Sequence, residues 1–123
     1  MTNAISWFEI PVKNFERAKS FYMKVLDTTI KDAHMAEMKY GMFAYDEDNN
    51  GVGGGLVEME GYTPSNQGVV VYLNGGDDLS VPLARVESAG GAVVMPKTDI
   101  GENGFMAQIL DTEGNKVALH SWS

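Results

Sequence analysis

One order of elements occurs twice in this chain: strand, helix, strand, strand, strand, with an offset of about 64 residues, the scale on which a repeat marks a duplicated supersecondary unit. The first copy opens with residues 5–26, which read as a strand running directly into an amphipathic helix. Ser6, Phe8, Ile10 and Val12 point one way from an extended backbone, and Ile5, Trp7, Glu9 and Pro11 the other. Asn14 offers a side-chain oxygen for an N-cap, and Glu16 places negative charge in the first turn, where the helix dipole favours it. Phe15, Ala18, Phe21 or Tyr22, and Val25 follow at helical spacing and make a single apolar stripe. Phe8 and Ile10 are expected to pack on that stripe, which turns Trp7 and Glu9 to the opposite face.

Strands follow over residues 27–31, 38–45 and 52–59. The acidic stretch 46–51 between the last two ends in Asn-Gly, which tolerates the positive backbone angles of a tight hairpin. Gly53, Gly54 and Gly55 weaken a strand unless something must approach the backbone closely. Residues 61–68 are polar and rich in breakers, and form the linker. The second copy then predicts a strand over 69–74, a helix through Leu79, Leu83, Val86 and Ala89 capped by Asp77, Asp78 or Ser80, and an end at Gly90-Gly91. Strands over 92–95, 105–110 and 116–120 complete it, the last two joined by a turn at 111–115. In each module the helix covers one sheet face, so two modules side by side leave their other faces around a shared cleft.

A chain of 123 residues with 44% apolar content is read as one domain with a core of its own. It has no cysteine, which removes disulfides, thiolate metal sites and a cysteine nucleophile. The formal charge of −8 repels phosphate backbones and anionic lipid, so neither nucleic acid nor membrane is expected as a partner. With no leader and no apolar run of about 18 residues, a cytoplasmic location is expected.

The order and spacing of these segments resemble the vicinal oxygen chelate superfamily, which includes glyoxalase, bleomycin-resistance and extradiol-dioxygenase proteins. The opening Trp7-Phe-Glu-Ile-Pro-Val-Lys-Asn-Phe-Glu-Arg-Ala-Lys-Ser-Phe-Tyr22 and the closing Leu110-Asp-Thr-Glu-Gly-Asn-Lys-Val-Ala-Leu-His120 are similar to its two most recognisable segments. Gly53-Gly-Gly-Leu-Val, Val70-Val-Tyr-Leu-Asn and Ala89-Gly-Gly-Ala-Val-Val-Met-Pro-Lys look like a branch described as predicted enzymes related to lactoylglutathione lyase. The resemblance implies an α+β fold of two βαβββ modules forming a half-open barrel. It sets one domain over residues 1–123, with module one about 1–60, a linker about 61–68 and module two about 69–123. It also implies a homodimer and a small-molecule cavity on the sheet faces away from the helices.

Metal-dependent members hold a divalent ion with His, Gln or Glu from strands one, four, five and eight. By resemblance these positions fall on Trp7, on Gly55 or Leu56, on Val70 or its neighbour, and on Ala118, none of which donates to such an ion. No metal and no other cofactor is therefore expected. Asp46-x-Asp48-x-Asn50-Gly51 matches half of a calcium loop, but Val57 stands where the bidentate glutamate belongs, and an acidic turn is the better reading. The two histidines, His34 and His120, are not spaced as a helical pair, and no nucleophile elbow, phosphate loop or dinucleotide fingerprint occurs.

Alternation instead lines the cleft with Trp7 and Glu9, with Val70, Tyr72 and Asn74, and with Lys116, Ala118 and His120. Trp7, Tyr72 and Asn74 suit an organic ligand. Glu9, as a carboxylate desolvated in a partly apolar cleft, suits a general base, with His120 as its partner in proton transfer. Against these readings, Glu9 could pair with Lys116 across the barrel, and His120 could stand idle near the terminus. Two functions follow: a metal-independent, glyoxalase-like enzyme of proton-transfer or addition chemistry on a small organic substrate, or a non-catalytic protein that sequesters a drug or metabolite as bleomycin-resistance members do.

Overall fold

A computed structural model describes residues 3–123, so the first two positions of the expected first module lie outside it. Strand β1, Trp7–Pro11, leads into helix α1, Phe15–Leu26. Strands β2, Ile30–Asp32, β3, Lys39–Phe43, and β4, Gly53–Glu58, complete the first module. The second contains β5, Tyr72–Asn74, the short helix α2, Ser80–Leu83, and strands β6, Ala92–Asp99, β7, Phe105–Leu110, and β8, Lys116–Ser121. The sheets have the same order, β1-β4-β3-β2 and β5-β8-β7-β6, each with its first and last strands parallel and its other pairs antiparallel. The repeated sequence pattern is thus a repeated topology, and neither sheet closes into a barrel.

Helix α1 carries the stripe the spacing predicts, with Phe15, Ala18, Phe21, Tyr22 and Val25 all buried. It packs against residues of both modules in one continuous core that includes Ile10, Leu56, Leu73, Ile109, Val117 and Leu119. Its first backbone N–H groups, which lack partners inside the helix, are taken by three side chains. Asn14 Oδ1 accepts from Arg17 N at 3.0 Å, Glu58 Oε1 accepts from Phe15 N at 2.7 Å, and Glu113 Oε1 accepts from Lys13 N at 2.9 Å and Asn14 N at 2.8 Å. Asp27, in the left-handed conformation with φ 50°, ends the helix.

Glu113 belongs to the second module, in the turn between β7 and β8. Arg17 grips the same carboxylate with Nε at 2.7 Å and Nη2 at 2.9 Å. Two further bonds cross between modules beside it: Tyr22 Oη donates to the buried Asp111 at 2.6 Å, and Asn115 Nδ2 donates to the Pro11 carbonyl at 2.8 Å. Burial works to raise Glu113, but the hydrogen bonds from Arg17, Asn14, Thr112 and Lys13 outweigh it and hold the carboxyl at about 2.

Five elements differ from the sequence expectation, the first being β2, which starts only at Ile30 because Asp27 closes α1 in the left-handed conformation. The second helix is regular for only one turn: Arg85 and Val86 N–H bond to the carbonyls three residues back, Pro82 at 3.0 Å and Leu83 at 3.2 Å, and residues 84–90 continue in turns. Leu79 and Val86 are nonetheless fully buried and Leu83 and Ala89 pack on the core, so the apolar pattern holds where the helix does not. Strand β5 begins only at Tyr72, and Val69 stands 92% exposed. Strand β6 extends to Asp99, passing Pro96 through two register irregularities on a sheet edge, where a missing donor is tolerated. The 46–51 segment is a 3-10 turn over Glu47–Asn49, in which Asn50 and not Gly51 takes positive φ (56°) and Gly51 N–H closes onto the Asp46 carbonyl at 2.8 Å.

Replacing Glu113 with Ala leaves two backbone donors and a guanidinium facing a void, and is expected to lower unfolding free energy by about 2–3 kcal/mol, the modest end for a buried pair because Arg17 is half exposed. Arg17→Ala should cost less, since the backbone donors keep their acceptor. A group depressed in the folded state stabilises most above its ordinary range and loses that contribution as pH falls towards about 2. Chemical denaturation at pH 7 and pH 3 should therefore show the gap between wild type and Glu113→Ala shrinking at the lower pH.

Candidate functional site

The helix-side faces of both sheets are consumed by the core, so the chemistry rests on the opposite faces. On the first sheet, Trp7 lies beside Gly53 and Glu9 beside Gly55 in the parallel β1–β4 pair, with Tyr40 beside Val57 and Met42 beside Gly55 across β3–β4. These residues share one face. A Cβ on Gly55 would lie 2.5 Å from the Tyr40 ring, and one on Gly53 would collide with the Tyr45 ring. Gly54, on the other face, makes the same room for Phe8. The glycine run is thus a bed for the protein's own aromatic rings.

Trp7 Nε1 donates to Tyr40 Oη at 2.7 Å, and the Trp7 and Tyr45 rings meet edge to face at 5.7 Å. Burial pushes the Tyr40 phenol up, the Trp7 hydrogen bond opposes this, and the neighbouring Glu9 carboxylate adds to the rise. Tyr40 is therefore a neutral hydroxyl at physiological pH, placed between an indole donor and a carboxylate. Glu9 itself is exposed, so the desolvation expected of it is not met in the single chain. Alternation fixes which face Glu9 points to, and not whether another element covers that face. Among the described residues, neither Glu9 nor Lys116 takes part in an ion pair.

On the second sheet, Tyr72 sits beside Ala118 and Asn74 beside His120 across the parallel β5–β8 pair. Tyr72, Asn74 and His120 line one open cavity of about 490 Å³ together with Asp77 and Trp122. His120 Nε2 lies 2.6 Å from the Asn103 carbonyl. A carbonyl only accepts, so this nitrogen carries the proton and Nδ1 keeps the lone pair of the neutral ring. Trp122 stands edge-on to the imidazole, with centroids 4.8 Å apart. The structure therefore groups the expected site residues in two sets, Trp7 with Glu9 on one sheet and Tyr72, Asn74 and His120 on the other.

Tyr40, Tyr45, Asp77 and Trp122 escaped the sequence reading. The spacing of Gly53 and Gly55 on one strand face was the available signal for the two tyrosines. For Trp122 it was alternation carried two residues beyond His120. Asp77 sits in a loop after β5, where no periodicity speaks.

Residues 4–119 match the model of the Glyoxalase/Bleomycin resistance protein/Dioxygenase superfamily. No curated protein matches the chain. Among solved structures, a glyoxylase/bleomycin resistance protein/dioxygenase domain from Frankia sp. EAN1pec is similar with a TM-score of 0.72 and 15% identity, over 100% of this chain and 94% of that one. A glyoxalase-related enzyme from Fulvimarina pelagi gives 0.70 at 10% identity, over 98% and 88%. A V278E mutant of glyoxalase I from Zea mays gives 0.71 at 20% identity, over 94% of this chain, which spans only 45% of that one.

The family's chelate does not fit the residues present. At the positions the resemblance assigns, Trp7 offers an N–H donor and no lone pair, Gly55 offers no side chain, and Val70 is aliphatic. Leu56 points into the core, and Ala118 is fully buried with only a methyl group. Elsewhere, Glu16, Asp32 and His34 bring their ligating atoms within 4.8 Å of one another on the surface. There His34 Nδ1 accepts Tyr40 N–H at 3.0 Å, which leaves the proton on Nε2, and Lys19 already occupies Asp32 at 2.8 Å. That cluster is an ion pair with a histidine beside it.

Gly55→Ala tests the bed directly. The added methyl forces the Tyr40 ring aside and breaks its bond to Trp7, at an expected cost of about 1–3 kcal/mol. In a Trp122→Phe background Trp7 emission should shift relative to its parent, whereas Val69→Ala, at an exposed position, should leave the Trp7 spectrum alone.

Proposed function

Because this chain belongs to the Glyoxalase/Bleomycin resistance protein/Dioxygenase superfamily, we propose that it binds a small organic molecule without a chelated metal and moves a proton on it. The observation that carries this reading is Trp7 bonded to Tyr40 over glycines, on the strand where the resemblance puts a chelating residue. Hydrogen-bonding groups stand where a metal would polarise a substrate oxygen. Glu9 is the proposed base, and the neutral Tyr40 hydroxyl beside it is a donor suited to an oxygen that gains charge. Tyr72, Asn74 and His120 are the proposed ligand contacts, with His120 Nδ1 as a second proton acceptor.

A homodimer belongs to the same reading. The two sets of residues lie on separate sheets, and Tyr72 at 53% and Trp122 at 70% exposure are large apolar surfaces to leave in water. One chain's Trp7–Glu9 face opposite its partner's Tyr72–His120 face would enclose both sets in one chamber and desolvate Glu9. A second reading, sequestration without turnover, is favoured by the exposure of Glu9 in the single chain.

Exchange of α-hydrogens for deuterium, followed by NMR over a panel of enolisable aldehydes and ketones, separates the two readings. Under the proposal the protein accelerates exchange of at least one compound, and Glu9→Gln lowers that rate by about 10²–10⁴ with little change in affinity. Binding with no exchange by wild type would establish sequestration instead.

A further inference from the structure

We propose that the cavity beside β8 takes an organic cation bearing an aromatic ring, held against Trp122 and Tyr72 and neutralised by Asp77. This deepens the reading of that cavity as a ligand site and rests on it. Two of its walls are aromatic faces left open to solvent, Trp122 at 70% and Tyr72 at 53% exposure. The Trp122 indole meets the His120 imidazole edge to face at 88°, and that imidazole lies against the Asn103 carbonyl. An open indole offers a flat face on which a planar ligand can stack.

The polar groups decide the sign of the charge. Asp77 is exposed, and among the described residues it is in no ion pair. His120 Nδ1 is an acceptor in the neutral ring. Asn74 Oδ1 is already spent on Gly76 N–H at 2.9 Å, leaving its amide NH₂ as the one side-chain amide donor. No lysine or arginine lines the cavity. Lys97, which reaches the adjoining loop, is held by Asp78 at 2.9 Å and over the Phe105 ring at 4.6 Å. An anion would meet Asp77 without a compensating charge. A neutral aromatic would cover the same surface but strip water from that carboxylate for no return. A cation satisfies the carboxylate and the ring quadrupoles together, and the formal chain charge of −8 draws it in.

The test is isothermal titration calorimetry of the protein with three ligands of nearly one shape: 1-methylquinolinium, 1-methylnaphthalene and 1-naphthoate. The cation is expected to bind about tenfold more tightly than the neutral compound, with no saturable binding of the anion. Trp122→Ala should weaken the cation about tenfold, and Asp77→Asn about three- to tenfold, with the neutral compound insensitive to the latter. Both positions are exposed, and circular dichroism verifies that the variants fold. Equal affinity for the neutral compound, or a cation affinity unmoved by either substitution, overturns the choice of ligand class while leaving the cavity as a ligand site. Absence of binding by all three overturns both the choice of ligand class and the reading of the cavity as a ligand site.

Discussion

The Glu113 carboxylate is the joint on which the molecule turns. It accepts two backbone N–H groups just ahead of α1 and both arms of the Arg17 fork, so the second module's last turn is fastened to the first module's helix start. Glu58, from the first module's own last strand, takes the next N–H in line. A helix start is the one place where several backbone donors converge unpaired, and a carboxylate there answers hydrogen bonding and the helix dipole together. The duplicated architecture thus has a shared anchor: each module sends one carboxylate to the same few residues.

From that anchor the rest of the layout follows. With α1 fixed over both sheets, Phe8, Ile10 and Leu56 from one module and Leu73, Ile109, Val117 and Leu119 from the other are drawn beneath it, as members of one core or packed against it. Strand alternation then turns Trp7, Glu9, Tyr72, Asn74 and His120 outwards. They are outward because their neighbours are inward. The first sheet fills its outward face with Trp7, Tyr40 and Tyr45 laid on glycine. The second leaves its face open, with the Trp122 indole and, among the described residues, a carboxylate in no ion pair at the rim.

Patterns with a strict period were legible from the sequence, and features set by tertiary contact were not. The buried stripe of α1, its Asn14 cap, the sidedness of β1 and β8 and the duplicated order all follow from periods of 3.6 and 2. The regularity of the second helix did not, because Leu79 and Val86 reach the core equally well through turns bonded three residues back, and an apolar pattern does not distinguish those from a helix. The glycine run signalled a close approach, but only the β3–β4 register tells which ring approaches. Trp7 and Glu9 were placed on the right face, yet the desolvation expected of Glu9 depends on what lies opposite an edge strand, and sequence alternation carries no information about that.

The central claim is that an indole and a phenol occupy the corner where relatives chelate an ion. Titration of the ¹⁵N-labelled protein with Ni²⁺, followed through its tryptophan indole signals, tests this most directly, because a paramagnetic ion bound at that corner would broaden the Trp7 signal beyond detection. The account predicts a Trp7 indole signal that persists at equimolar Ni²⁺, with its hydrogen bond to Tyr40 intact. Loss of that signal with saturable one-to-one stoichiometry would contradict it.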